Sequence, residues 1–196
     1  KRPVEVWNNT ADVGFVRSVG RLSALVGATA GHKEFHSVEA FDGSKLDQSY
    51  RDTDTYSTYL KLRYQISPGY NLIARLTGLR EENRGSPTFN RSNSGYEATT
   101  GLEFELSRLL RASFEAGMTQ RTYTQESLGE TQTAIFNGGL TWMMMPRLTL
   151  YLTGGREVNA TSAADAANRI DLKFKGSLEY ELQRNIVLTA GLEHVG

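Results

Sequence analysis

The feature that most constrains this chain is a period-two alternation, held over long strands and repeated about every forty residues. Four segments share one pattern: LRYQIS at Leu62–Ser67, LEFELS at Leu102–Ser107, LTWMMM at Leu140–Met145 and LEYELQ at Leu178–Gln183. Each begins with leucine, carries an aromatic residue two positions on, and ends at once in turn chemistry. The turns are Ser67-Pro68-Gly69, Ser107-Arg108, Met145-Pro146-Arg147 and Gln183-Arg184-Asn185. The leading leucines stand 40, 38 and 38 residues apart. A weaker fifth copy lies at Val13-Gly14-Phe15, ahead of the turn Val19-Gly20-Arg21.

Successive strand residues point to opposite faces, so strict alternation marks a sheet with different surroundings on its two sides. Along 56–66, Tyr56, Thr58, Leu60, Leu62, Tyr64 and Ile66 share one face, and Ser57, Tyr59, Lys61, Arg63 and Gln65 the other. Along 170–182, Ile170, Leu172, Phe174, Gly176, Leu178, Tyr180 and Leu182 oppose Asp171, Lys173, Lys175, Ser177, Glu179 and Glu181. A tilted strand needs about 9–11 residues to cross a bilayer, against about 5–6 in an ordinary globular sheet. These strands meet the longer requirement.

A soluble β-sandwich also alternates apolar and polar faces. Its connections, however, are of mixed length. Here short turns of two to four residues alternate with longer connections near 36–53, 81–95, 122–131 and 157–168. That one-sidedness belongs to an up-and-down barrel with short periplasmic turns and long outer loops. The fold expected is therefore all-β, a transmembrane up-and-down antiparallel β-barrel in the bacterial outer membrane. Ten strands are predicted, near 11–18, 22–34, 54–66, 71–81, 95–107, 110–122, 132–144, 147–157, 169–182 and 186–194. Residues 1–196 then form a single barrel segment. With short turns in the periplasm both chain ends fall outside, whereas bacterial barrels keep both termini in the periplasm. At least one further strand is expected beyond each end, and about 12 or more in the whole barrel.

Composition agrees. No run approaches the ~20 apolar residues of a transmembrane helix, and a negative mean hydropathy is what half-lipid-facing strands produce. The 22 basic and 22 acidic residues cancel, which argues against a nucleic-acid partner. Cysteine is absent, so thiolate metal sites and disulfides are excluded.

From about residue 50 onward the chain resembles a family of outer-membrane β-barrel porins found in proteobacteria. The resembling stretches are RDTDTYSTYLKLRYQISPGYNLIARL, ELSRLLRASFEAGMTQRTY, PRLTLYLTGGREV and RIDLKFKGSLEYELQRNIVLTAGLEH. They are spread over strands three to ten, a region that makes up some three quarters of the sequence. The resemblance implies an outer-membrane location and, for some members, the barrel component of exopolysaccharide export. It brings no catalytic motif.

The polar face supplies the candidate site. Lys61, Arg63, Arg75, Glu97, Glu103, Glu105, Arg111, Glu115, Arg121, Asp171, Lys173, Lys175, Glu179 and Glu181 are expected to line the lumen. Two readings fit: cross-strand ion pairs that fix register, or a transverse field that steers solutes through a pore. Inward Tyr59 and Tyr151 are candidate stacking faces for sugars. Tyr64, Phe104, Trp142 and Tyr180 each precede by two residues the last outward apolar side chain before a short turn. They are expected to form an aromatic girdle at one membrane boundary.

No enzyme is expected. His32, His36 and His194 are the only histidines, and no carboxylate or cysteine completes a metal-ligand set around them. No G-x-S-x-G elbow or HExxH occurs, and neither a cofactor nor a metal is expected. The function expected is a charge-lined pore for polar solutes or for polysaccharide export. The alternative is a sealed structural barrel that docks other envelope proteins. The partners expected are outer-membrane lipid, a polar solute or polysaccharide, and periplasmic secretion or envelope proteins.

Overall fold

The computed structural model describes residues 5–39, 45–84, 90, 92–125, 128–159 and 169–196. Ten long strands form one antiparallel sheet: β1 (Val6–Val19), β2 (Leu22–Phe35), β5 (Thr53–Ser67), β6 (Tyr70–Asn83), β7 (Asn93–Ser107), β8 (Leu110–Tyr123), β9 (Glu130–Met145), β10 (Leu148–Asn159), β11 (Arg169–Gln183) and β12 (Ile186–Val195). Spatial order follows chain order throughout, so the sheet is an up-and-down meander. β1 and β12 each pair with one neighbour. The connection between β2 and β5 carries two short strands, β3 (Val38–Glu39) and β4 (Lys45–Leu46), and a 3-10 turn at Ser49–Arg51.

The expected strand boundaries differ from the observed ones by one or two residues in most cases. The exception is the first strand, which begins at Val6 rather than near residue 11. Asn8 and Asn9 carry little β propensity, yet each pairs in register with β2, at Lys33 and His32. Pairing overrides local preference there. The small β3–β4 ribbon has no counterpart in the sequence reading.

All five short turns hold two residues, at 20–21, 68–69, 108–109, 146–147 and 184–185. In the second, Pro68 presets φ for the first corner and Gly69 takes φ 82°, the pairing that a type II turn demands. The forty-residue repeat has a physical meaning at this end. Gln65, Glu105, Met143 and Glu181 hold the same position in the four copies. Their backbone N–H groups donate to the carbonyls of Arg21, Gly69, Leu109 and Arg147, each in the turn of the preceding hairpin. The register then shifts at Gln65/Ser67, Glu105/Ser107 and Glu181/Gln183, so each such strand ends on a bulge beside its turn.

The solvation pattern inverts that of a globular protein. Among the described residues, the buried polar side chains are Asp52, Asn93, Glu115, Thr119 and Asp171, and the buried apolar ones Ile73, Tyr123 and Val158. Large apolar groups such as Phe15, Leu102, Phe114, Phe174 and Leu192 stand exposed. A sandwich would bury them between two large sheets, and the described residues form one large sheet and a two-stranded ribbon. An apolar outer face turned to lipid accounts for both observations.

Candidate functional site

The polar face is the inner one, and its curvature is visible in the side chains that meet across it. Neighbouring strands are about 4.8 Å apart, so residues two strands apart are separated by nearly 10 Å of backbone. Even so, Lys61 Nζ and Arg63 Nη2 of β5 reach Glu103 of β7 at 3.2 and 2.7 Å. Arg75 Nη2 of β6 reaches Glu115 of β8 at 3.1 Å. In each case a long cation spans the intervening strand.

What lies beneath these bridges explains how they form. Arg63, Ile73, Gly101 and Glu115 occupy one register row across β5 to β8. Ile73 is the apolar residue under the first bridge and is fully buried. Gly101 is the residue beside the second. A Cβ at Gly101 would lie inside the van der Waals envelope of the Phe114 carbonyl and 2.7 Å from the Glu115 Cα. Gly117 meets the backbone of Ala98 and Thr99 in the same way from β8. The absence of side chains lets β7 and β8 curl inward and brings their carboxylates within reach.

The remaining charges pair between adjacent strands. Arg121 approaches Glu97 at 3.3 Å, and Thr119 Oγ1 donates to the same carboxylate at 3.4 Å. Thr99 Oγ1 donates to Glu115 at 3.1 Å. Arg111 and Glu105 stand directly opposite at 3.4 Å. On the far side Lys173 meets Glu157 at 2.7 Å, and Asp171 is buried opposite Glu157. Lys175 faces Thr153 and Glu193, Glu179 faces Thr149 and Thr189, and Glu181 faces Val187. Those three belong to none of the ion pairs above. The basic β5–β6 wall and the acidic β7 wall thus answer each other.

Tyr59 does not stand free in the lumen. Its ring lies over Gly27, where a Cβ would overlap it, and its hydroxyl donates to the Asp12 carboxylate at 3.4 Å. Thr29 Oγ1 donates to Asp12 at 2.6 Å. Gly14, Gly27 and Tyr59 form one register row, so the aromatic ring covers backbone that would otherwise be bare. Tyr151 instead lines an inner cavity of about 620 Å³ with Arg63, Gln65, Asn71, Glu105 and Arg111, at the short-turn end.

Tyr64, Phe104, Trp142 and Tyr180 all point outward beside the short turns, with Phe104 half-buried and the other three exposed. The sequence reading did not single out a second outward level near the long connections. There Tyr56 and Tyr96 are exposed, Tyr96 donates to Gln120, and Gln120 donates to Glu130. Asp12 and Glu157 were also missed, although their strand phase places both on the inner face. His32, on the outer face of β2, contacts Asp54 at 2.6 Å, and Arg84 Nη2 reaches the same carboxylate at 3.2 Å.

The comparisons with known proteins agree with this architecture. The model of the family described as "Putative beta-barrel porin 2" matches residues 1–195. The chain belongs to this porin family. No curated protein matches it in sequence. Among solved structures it is similar to the copper transporter OprC, with 13% identity and a TM-score of 0.53, covering 98% of this chain and 37% of that one. It is also similar to the siderophore receptor PiuA from Acinetobacter baumannii, with 11% identity and a TM-score of 0.52, covering 98% of this chain and 38% of that one. At these identities the likeness is one of fold, that of an outer-membrane barrel wall. The chain spans less than two fifths of either barrel chain.

Proposed function

We propose that this porin-family chain forms the wall of a water-filled outer-membrane pore for small polar solutes, without a catalytic step. The observation that carries the reading is the inner face. Of its fourteen expected charges seven are basic and seven acidic, and most meet an opposite partner. A wall that neutralises itself exerts little net field, so it favours neutral polar solutes over ions of either sign. The polar cavity beside Tyr151 offers hydroxyl-binding groups and one aromatic face, the combination suited to sugars. An extruded polysaccharide, passed on by a periplasmic secretion partner, is a larger cargo of the same chemistry.

The test is planar-bilayer conductance of the full-length protein, with liposome swelling in neutral sugars of increasing length. An open pore gives steady channels of weak ion selectivity, and its swelling cut-off separates small solutes from long glycans. The second reading, a sealed barrel that docks other envelope proteins, draws on the same ion pairs as internal cross-links. Absence of both conductance and swelling would decide for it.

A further inference from the structure

The lipid-facing side of β8 to β12 carries a groove of about 800 Å³. Its floor is made by residues that lack side chains. Gly138 of β9 and Gly154 of β10 are register partners, and Gly176 of β11 lies one row nearer the short turns. Phe114 and Phe174, in the same row as the first two glycines, stand on either side. Phe174 leans over the edge of Gly154, where a Cβ would meet its ring at 2.9 Å. The result is an apolar trough about two strands wide, roughly 10 Å.

One row toward the extracellular end, Arg156 projects from the same outer face between Phe136 and Leu172. A cation on the lipid side of a barrel is unfavourable unless it reaches a membrane interface or an anion. Arg156 Nη1 donates to the Ala134 carbonyl at 2.9 Å, and Ala134 lies farther from the short turns than Phe136. The guanidinium therefore extends toward the outer leaflet boundary. No carboxylate among the described residues pairs with it. Arg80, also outward and near that boundary, is satisfied by Glu82 at 2.6 Å. Of these two arginines near the extracellular boundary, Arg80 is neutralised within the sheet and Arg156 stands above an apolar trough.

We infer that the trough seats an acyl chain of a phosphate-bearing lipid of the outer leaflet, with Arg156 holding the phosphate. Guanidinium pairs with phosphate through parallel N–H···O bonds, and Arg156 retains donors beyond the one used on Ala134. The chain lies against Gly138 and Gly154 and is walled by Phe114 and Phe174. This site is separate from the pore lumen and does not depend on whether the pore conducts.

The test is native mass spectrometry of the full-length protein in detergent, titrated with phosphorylated lipid A and with the same lipid stripped of its phosphates. The wild type should retain the phosphorylated form about tenfold better, as a charge-assisted contact implies. Arg156→Gln should abolish that preference, whereas Arg80→Gln should leave it unchanged. Gly138→Leu, which fills the trough, should weaken retention of both lipids. Heat-dependent electrophoretic mobility identifies folded variants, and Arg156→Gln decides the matter if Gly138→Leu fails to fold. An unchanged preference in Arg156→Gln, or no preference for phosphate in the wild type, would overturn the assignment.

Discussion

Arg63 and Glu103 form a 2.7 Å ion pair although β6 runs between their strands. The pair closes over Ile73, so a lumen-facing residue becomes the most deeply buried apolar side chain described. Lys61 shares the same carboxylate at 3.2 Å. Glu103→Gln would leave two cations without their counter-charge on one wall. The expected outcome is a shift toward anion selectivity, read as a change in reversal potential under a salt gradient. Stability should fall by about 1 kcal/mol, because all three groups keep some contact with water.

Ile73→Ala removes the filling beneath that bridge. A fully buried aliphatic truncated to alanine typically costs about 2–5 kcal/mol, and the long arginine and lysine stems above can collapse only in part. Denaturant unfolding in lipid vesicles should show the loss. A variant as stable as the wild type would mean that water, and not Ile73, supports the bridge.

Gly101 and Gly139 separate two uses of glycine on the inner face. An added Cβ at Gly101 meets backbone, 2.7 Å from the Glu115 Cα, and backbone cannot step aside. At Gly139 the nearest atom is the Ser113 Oγ at 3.5 Å, an ordinary contact. Gly101→Ala should reduce the yield of folded barrel and lower stability by about 1–3 kcal/mol or more. Gly139→Ala should fold like the wild type. Equal behaviour of the two variants would contradict the tight curl assigned to β7 and β8.

The connection between β2 and β5 should respond to acid. Asp47 accepts a hydrogen bond from the Ser49 backbone N–H at 2.9 Å and another from the Ser49 hydroxyl at 2.9 Å. The backbone donor, and then the hydroxyl, hold its carboxyl below the usual 3.8. A depressed carboxylate contributes stability that is full above its unfolded pKa and is lost as pH falls through the folded value. The 3-10 turn at Ser49–Arg51 should therefore loosen only below about pH 3.8. Protease cleavage of this connection across pH 2–6 would detect it, and Asp47→Ala should loosen the turn at every pH.

The sequence by itself determined the sheet. Alternation over Tyr56–Ile66 and Ile170–Leu182 sets which side chains meet lipid, because a pleated strand has only two faces. The turns at Pro68-Gly69 and Pro146-Arg147 set where hairpins close, because their residues encode local dihedrals. Phase alone placed Lys61, Arg63, Glu103 and Glu115 on one face.

Only the tertiary structure decided their partners. That Arg63 meets Glu103, that Arg75 meets Glu115, and that Ile73 is sealed between them depends on the curl of β7 and β8 at Gly101 and Gly117. The same holds for Tyr59, whose ring settles on Gly27 of the neighbouring strand. Alternation is a property of one strand and is written in consecutive residues. Contact across two strands depends on register and curvature, which arise only when separate hairpins are brought side by side.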